Sequence, residues 1–180
     1  MSTPRLPHRP VIGVLHPGVM GAAIGSALKP VAGAVIWAVA GRGRATAKRA
    51  EIADLIGVPD VAGLARRSDL IVSVCPPAAA LDVARQVAAA LDGRPQRPLY
   101  VDANTVAPTT AREIGALLGA EHVVDGLIVG PPAWQRGSTV LWLSGTAATA
   151  VAALFDSSPF EARVLDRGLG AASGLATSRG

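Results

Sequence analysis

The sequence predicts one α/β domain with a doubly wound, mostly parallel β-sheet and helices on both faces. Short β-branched, apolar runs alternate with segments of about 10–15 residues that repeat apolar residues at helical spacing, a pattern typical of right-handed βαβ units. Half of the 180 residues are hydrophobic and only 3% are aromatic. The core must therefore be built from Ala, Val, Leu and Ile, which suits Val/Ile strands and Ala/Leu helices.

The elements follow one another almost to the end of the sequence. After a first strand from Val11, we predict strands at 34–39, 69–75, 99–102, 122–129, 139–144 and 162–165. We predict helices at 22–28, 45–56, 61–67, 78–91, 108–118 and 147–155. Residues 1–10 are expected to be a loose leader, 11–167 the nucleotide-binding domain, and 168–180 a tail or the start of an interdomain helix too short to be buried.

Composition argues against several classes of function. The first ten residues have no hydrophobic signal-peptide segment, and no apolar run approaches the roughly 18 residues of a membrane span. Cys75 is the only cysteine, which excludes an internal disulfide and fits a cytoplasmic protein. The net charge is +4, but the arginines are scattered along the sequence without interleaved aromatics, so we expect no nucleic-acid partner. No group of Cys, His or carboxylates has the spacing of a metal site.

The segment His16-Pro17-Gly18-Val19-Met20-Gly21 directly follows the first strand and opens the first helix. It has the second and third glycines of the Gly-x-Gly-x-x-Gly dinucleotide fingerprint and so indicates a Rossmann-like fold. Gly18 would allow close approach to a diphosphate, and the N–H groups of Val19 and Met20 are the expected donors. His16 replaces the first glycine of the fingerprint. His adopts the positive φ that such a turn can require more readily than most residues do. A purely structural turn is the alternative reading.

The residues after the second strand favour NADP over NAD. Between Trp37 and Ala50 there is no acidic residue to bind a ribose 2′-hydroxyl, whereas Arg42 and Arg44 occupy the place of a 2′-phosphate. Arginine forms a planar fork that suits phosphate. Arg42 is the better candidate, since Arg44 and the basic residues after it could be a solvated helix face.

Taken in order, these motifs resemble the 6-phosphogluconate dehydrogenase and β-hydroxyacid dehydrogenase superfamily. The resemblance is carried by the segments 12–21, 72–77, 101–108 and 124–132, together with Arg42 and Gly145. It implies hydride transfer between NADP(H) and a small hydroxy acid, keto acid or imine. It further implies a cofactor contact at Cys75, Pro76, Pro77 and Asn104, substrate positioning by Asn104 and Thr105, and substrate binding at Gly130 and Pro131.

The sequence also departs from that family. The resemblance implies a catalytic lysine near Ala176, but the only lysines are Lys29 and Lys48, and a helical C-terminal domain is expected to be missing. A non-catalytic NADP-binding module therefore stays open as an alternative to an oxidoreductase. The apolar face left by the missing domain predicts a homo-oligomer or a partner chain. Asn104 and Thr105 have an alternative role as a cap on the helix that begins near Pro108.

Overall fold

A computed structural model describes residues 3–178, and within them the chain forms eight strands and seven α-helices. The strands are β1 (Val11–Val14), β2 (Ala34–Ala38), β3 (Ile56–Val58), β4 (Leu70–Ser73), β5 (Leu99–Asp102), β6 (Val123–Val129), β7 (Val140–Ser144) and β8 (Glu161–Leu165). The helices are α1 (Val19–Leu28), α2 (Arg44–Ile52), α3 (Val61–Arg67), α4 (Ala80–Ala90), α5 (Pro108–Leu118), α6 (Ala148–Ala153) and α7 (Ala171–Thr177). Strands and helices alternate as the sequence predicts, apart from a β6–β7 hairpin.

All eight strands form one sheet in the order β3-β2-β1-β4-β5-β6-β7-β8. The first six strands are mutually parallel, β7 is antiparallel to β6, and β8 is parallel to β7. The central register pairs Val14 of β1 with Trp37 of β2 on one side and Val72 of β4 on the other. The prediction of a mostly parallel, doubly wound α/β sheet is confirmed.

Helices cover both faces of this sheet, each over its own apolar core. On one face, α1, α2 and α6 contribute Ile24, Ala50 and Val151 to a core with the β-strands. On the other, α3 and α4 contribute Leu64 and Val87, and α5 adds its own apolar residues. The opposite placement of α1 and α4 leaves a crevice between β1 and β4 at their carboxyl ends, the usual ligand site of open parallel sheets.

The edge strand β3 was not predicted. The helix expected to run to Ile56 ends at Ile52, and Asp54 turns the chain with a φ of +56°. Asp is one of the few residues that tolerate this left-handed conformation, and an ion pair with Lys29 holds it. The apolar residues of this segment fit helical spacing and a short strand equally well, so their pattern could not place the boundary.

The described part of the predicted leader is not loose. Leu6 packs against the core on the face of α1, α2 and α6, and Pro10 is buried. The Arg9 guanidinium donates to the carbonyl of Ala32 at 2.7 Å, and the Gly33 N–H donates to Pro10 at 2.9 Å. Residues 3–10 therefore belong to the domain, while Met1 and Ser2 lie outside the described residues.

The expectation that the segment from residue 168 buries no helix is also wrong. It contains α7, in which Ala172 and Ser173 are completely buried against the sheet. Arg179 and Gly180 lie outside the described residues. None of the helices in residues 3–178 is long and apolar enough to cross a bilayer.

Candidate nucleotide-binding site

The turn between β1 and α1 has the geometry of an anion site. Gly18 is the N-cap of α1 in an extended conformation, and no side chain caps the helix there. The first helical hydrogen bond runs from the Ala22 N–H to the Gly18 carbonyl at 2.8 Å. The preceding N–H groups of Val19 and Met20 therefore lie at the positive end of the helix dipole without an intrahelical acceptor.

The two glycines of the turn meet different constraints. A Cβ on Gly21 would lie 2.3 Å from the His16 carbonyl oxygen, so no side chain fits there without moving the backbone. A Cβ on Gly18 would meet no protein atom within 4 Å. Gly21 is thus required for helix α1 to pack on the turn, whereas the space beside Gly18 is open to a ligand.

Arg49 of α2 supports this turn. Its Nε donates to the carbonyl oxygen of Pro17 at 3.2 Å, and its second guanidinium nitrogen donates to the Thr46 hydroxyl at the same distance. The sequence offered Arg49 only as part of a solvated helix face, which is wrong for this residue. For Lys48 that description fits, since it is exposed and paired with Glu51.

A crevice of about 320 Å³ opens beside the turn. It is lined by His16, Gly18, Arg42, Thr46, Val74, Cys75, Pro76 and Ala79. Of these, the sequence singled out His16, Gly18, Arg42, Cys75 and Pro76 and missed Thr46, Val74 and Ala79, whose small or β-branched side chains carry no motif. The lining includes none of the other predicted cofactor contacts, namely Pro17, Val19, Met20, Gly21, Arg44, Pro77 and Asn104.

Two polar atoms in this crevice are buried and have no hydrogen-bond partner among the described residues. They are the Nε2 of His16 and the Nε of Arg42. Burial, and secondarily the positive charge of Arg42, lowers the pKa of His16 to about 4. At neutral pH the imidazole is therefore uncharged and the crevice carries the guanidinium charge. The Arg42 Nε–H is a donor, and a buried donor without an acceptor is costly, so this atom fits a phosphate-bearing group.

Arg42 reaches the crevice because of the turn after β2. Gly41 adopts a φ of +75°, which favours glycine, and the Arg42 N–H donates to the Val39 carbonyl at 3.1 Å. Arg44 is the first residue of α2 and is exposed. The structure thus brings Arg42 to the crevice beside the turn between β1 and α1 and leaves Arg44 outside this crevice.

The side chain of Asn104 makes three hydrogen bonds to other parts of the chain. Its carbonyl oxygen accepts from the Cys75 N–H at 2.6 Å, and its amide nitrogen donates to Ser73 at 3.1 Å and to Asp102 at 2.6 Å. It is 3% exposed. Asn104 therefore ties the loop after β4 to the loop after β5, and its predicted contact with substrate or cofactor stays a prediction.

Thr105 is exposed beside Asn104, and neither residue caps α5. That helix begins with Pro108 after Ala107, without a side-chain cap. The capping alternative is therefore wrong. Pro at the first helical position needs no N–H acceptor, which removes part of the need for a cap.

Asp102 lies beneath this loop and is 1% exposed. One carboxylate oxygen accepts from the backbone N–H and the amide of Asn104, and the other has no partner among the described residues. Burial raises the pKa of Asp102 to about 6, against the lowering effect of the Asn104 hydrogen bonds, and nearby Asp125 adds a smaller increase.

Cys75 lines the crevice as a protonated thiol. Burial, as the largest cause, raises the pKa of its thiol above the ordinary value. A neutral thiol is a weak nucleophile.

Gly130 and Pro131 lie in the β6–β7 hairpin and do not line the crevice. Gly130 has a φ of +129°, and a Cβ there would lie 2.4 Å from the Ser138 carbonyl oxygen. The Pro131 carbonyl accepts a hydrogen bond from the Thr139 hydroxyl. Both residues thus have a structural part in the turn, and their predicted substrate contact stays a prediction.

Asp125 of β6 is the partner of the first turn of helix α7. Its buried carboxylate accepts from the N–H of Ser173 at 2.8 Å and from the Ser173 hydroxyl at 2.5 Å. Ser144 donates to the same carboxylate and accepts from the Ala172 N–H. Together these bonds hold the first turn of α7 on the sheet. Among residues 3–178, no three His, Cys, Asp or Glu side chains are grouped so that they could hold a metal ion.

Comparison of the sequence and the fold with known proteins gives several similar proteins. No family model matches the chain. An uncharacterized 28.5 kDa protein of Methanothermus fervidus is 36% identical over 95 residues, which cover 51% of this chain and 35% of that protein. The sequence match therefore spans about a third of the relative's length and brings no activity with it.

Solved structures match the whole domain. A conserved protein of unknown function, described as structurally similar to 3-hydroxyacid dehydrogenases, superposes with a TM-score of 0.79 at 23% identity over 94% of this chain and 62% of its own. The 3-hydroxyisobutyrate dehydrogenase of Mycobacterium tuberculosis gives a TM-score of 0.75 at 19% identity, over 95% and 59%. The chain has a Rossmann fold. It is the fold found in these dehydrogenases.

Two further neighbours of this Rossmann domain were solved with nicotinamide cofactors. The reductive aminase of Aspergillus terreus, in complex with NADPH, gives a TM-score of 0.74 at 18% identity over 95% of this chain and 60% of its own. The imine reductase of Myxococcus stipitatus, as a variant with NAD+, gives 0.69 at 24% identity over 95% and 59%. The domain thus spans about 60% of the length of the structures it matches.

Proposed function

We propose that this Rossmann domain binds NADP(H) in the crevice between β1 and β4 and serves an oxidoreductase. The observation that carries the proposal is Arg42, which brings guanidinium charge to the crevice and whose Nε is buried there without a partner among the described residues. The nicotinamide cofactors of structural neighbours support a dinucleotide as the ligand. The order of the sequence motifs supports membership of the 6-phosphogluconate dehydrogenase and β-hydroxyacid dehydrogenase superfamily.

The chain's residues fit the anionic parts of this cofactor. The N–H groups at the start of α1 would bind the diphosphate, and the open space beside Gly18 allows its approach. Arg42 would bind the 2′-phosphate in place of the carboxylate that selects the 2′-hydroxyl of NAD. The first acidic residue after β2 is Glu51, which is exposed and paired with Lys48.

The proposed reaction is hydride transfer to or from a small hydroxy acid, keto acid or imine. When bound, the nicotinamide supplies or accepts the hydride. This chain positions the cofactor: Arg49 holds the phosphate turn through Pro17, and Asn104 holds the loop of Cys75. Substrate contacts at Thr105, Gly130 and Pro131 remain part of the proposal, as do a cytoplasmic location and a second copy or partner chain.

A charge reversal at Arg42 tests the cofactor. We expect Arg42→Glu to weaken NADPH binding by about tenfold to a hundredfold and NADH binding far less, because a charge-assisted hydrogen bond contributes about 1.5–3 kcal/mol. Calorimetric titration of both cofactors measures this. Arg44→Glu makes the same charge change two residues away on an exposed side chain and should affect neither cofactor more than slightly. Equal losses of affinity for NADPH and for NADH in Arg42→Glu would contradict the assignment of Arg42 to the 2′-phosphate.

A non-catalytic NADP-binding module is the second candidate, favoured by the chemistry of the crevice lining. His16 is uncharged at neutral pH, Cys75 is a protonated thiol, and both lysines form ion pairs away from the crevice. The lining thus lacks an evident proton donor among the described residues. NADPH oxidation with small keto acids and cyclic imines would support the oxidoreductase. Tight NADPH binding, seen as quenched Trp fluorescence, without turnover would support the module.

A further inference from the structure

A second pocket lies at the amino edge of the sheet, at the opposite end of the parallel strands from the crevice. It has a volume of about 480 Å³ and is formed by the N-terminal segment, the end of α3 and the link between α4 and β5. We call it the amino-edge pocket. Its lining comprises Pro4, Arg5, Leu6, Pro7, Ala65, Arg66, Arg67, Ser68, Asp69, Leu91, Arg94, Pro95, Gln96, Arg97, Pro98, Leu99 and His122.

Arginines that are scattered along the sequence meet in this pocket. Five of the chain's fifteen arginines line it: Arg5, Arg66, Arg67, Arg94 and Arg97. Within residues 3–178 none of them forms an ion pair, since the salt bridges of the chain lie elsewhere. Asp69 is the single acidic residue of the lining, and one of its oxygens accepts from the Val11 N–H. The lining therefore carries an excess of four positive charges, equal to the formal net charge of the whole chain.

The backbone that presents these arginines is stiff. Pro4 and Pro7 flank Arg5, and Pro95 and Pro98 stand next to Arg94 and Arg97. Proline fixes its own φ and restricts the residue before it, which lowers the entropy lost when a ligand is bound. Arg66 is held in place as well, since its Nε donates to the Ala90 carbonyl at the end of α4.

We propose that the amino-edge pocket binds a small anion that carries two or more phosphate groups. Guanidinium forks match phosphate oxygens in charge and in planar geometry. The volume lies in the range of small-molecule sites, roughly 300–1,000 Å³. Apolar surface from the half-buried Leu6 would pack against the non-phosphate part of such a ligand. The site is separate from the proposed cofactor crevice, and neither depends on the other.

A nucleic acid fits this pocket less well. Surfaces that bind single strands combine a basic groove with aromatic side chains on which bases stack. Among the residues that line the amino-edge pocket there is no Phe, Tyr or Trp. The charges also surround a concavity instead of following an extended stripe.

Binding of inorganic tripolyphosphate to the full chain tests the proposal. The double variant Arg94→Ser/Arg97→Ser removes two guanidinium groups whose side chains make no hydrogen bond to the other described residues, so the fold should persist, as thermal unfolding can verify. Arg85→Ser/Arg163→Ser lowers the net charge equally on other surfaces. Calorimetry at physiological ionic strength should show about tenfold or greater loss of affinity in the first variant. The second should change it no more than twofold.

Three outcomes would overturn the proposal. One is unchanged affinity in Arg94→Ser/Arg97→Ser, and another is an equal loss in both double variants, which would reveal only a net-charge effect. The third is a single-stranded oligonucleotide that binds through the same arginines more tightly than tripolyphosphate. Arg42→Ser separates the two sites: loss of tripolyphosphate binding in this variant alone would place the anion at the phosphate turn.

Discussion

At the scale of single residues, buried polar groups decide what the carboxyl edge of the sheet can do. Asn104 stands where the resemblance implies a substrate contact, and its amide bonds to Ser73, Cys75 and Asp102. His16 replaces a glycine of the fingerprint and instead brings an uncharged ring into the crevice. For Asn104 the residue type could be read from the sequence, but its partners Ser73 and Cys75 come from a loop that is distant in the chain.

Asp102 gives a prediction about pH. Its pKa of about 6 in the folded chain exceeds the ordinary 3.8, so folding favours the protonated form. Its contribution to stability is fully present below about pH 4 and is lost as the pH rises through 6. We expect the unfolding free energy of the wild type, minus that of Asp102→Asn, to fall by about 2–3 kcal/mol from pH 4 to pH 7. Urea titrations at several pH values measure it.

The matched control for this prediction is Asp92→Asn, because Asp92 is exposed just after α4. This substitution should leave the pH dependence of stability as it is in the wild type. If Asp102→Asn and wild type show the same pH dependence, burial does not hold a proton on Asp102.

At the scale of elements, helix ends and turns account for both the successes and the errors of sequence reasoning. The βαβ periodicity predicts nearly every strand and helix, because an element that buries one or both faces has its apolar residues at a characteristic spacing in the sequence. The edge strand β3 was missed because Asp54 imposes a turn that spacing alone does not reveal. The burial of α7 was missed because it depends on Asp125, which is 48 residues away from Ser173.

The two glycines of the turn between β1 and α1 predict different effects of the same substitution, one on stability and the other on NADPH binding. Gly21→Ala places a Cβ against the His16 carbonyl, so we expect a loss of about 2 kcal/mol or more in unfolding free energy. Gly18→Ala meets no protein atom and should cost no more than about 1 kcal/mol, the difference between Gly and Ala at an N-cap. It should nevertheless weaken NADPH binding by about tenfold, because its Cβ occupies the approach to the helix N-terminus. Normal NADPH affinity in Gly18→Ala would place the diphosphate elsewhere.

The first turn of α7 gives a further prediction at this scale. Ser173→Ala removes the hydroxyl that donates to the buried Asp125 carboxylate. We expect a loss of about 1.5–3 kcal/mol in unfolding free energy, because a buried charged acceptor loses a partner. Amide hydrogen exchange in 171–177 should become faster while that of β1 stays slow. Thr177→Ala is the control, since its hydroxyl is exposed and bonds within α7. Equal exchange in both variants would show that the Ser173 hydroxyl bond to Asp125 does not hold the helix.

At the scale of the whole molecule, the sequence predicts the fold better than the site. Apolar periodicity and the Gly-x-x-Gly turn are local signals, and the structure brings Arg42 to the crevice beside that turn, while its contact with a cofactor stays a prediction. The support of Pro17 by Arg49 and the gathering of five arginines at the amino edge depend on tertiary packing. No local pattern marks such contacts, so they appear only when the sheet order is known.

The exposed apolar surface leads to a prediction of self-association. Val19, Ile52 and Trp134 are 58%, 75% and 60% exposed, and all three border a groove of about 170 Å³ between α1, α2 and the β6–β7 hairpin. Clustered apolar side chains of this size are seldom left in water. We therefore expect the wild type to self-associate in sedimentation experiments as its concentration rises. Each such side chain, when buried, contributes at most about 1.5–3 kcal/mol to the free energy of association.

Charges placed in the groove should abolish this association. The double variant Ile52→Lys/Trp134→Lys puts two positive charges on a surface that would face itself across a symmetric interface, where like charges oppose contact. Val164→Lys on β8 is the control, because Val164 is 40% exposed and does not border the groove. It should leave association unchanged. A wild type that sediments as a monomer at every concentration would show that the groove does not bind a second copy, and a partner chain would then be its expected occupant.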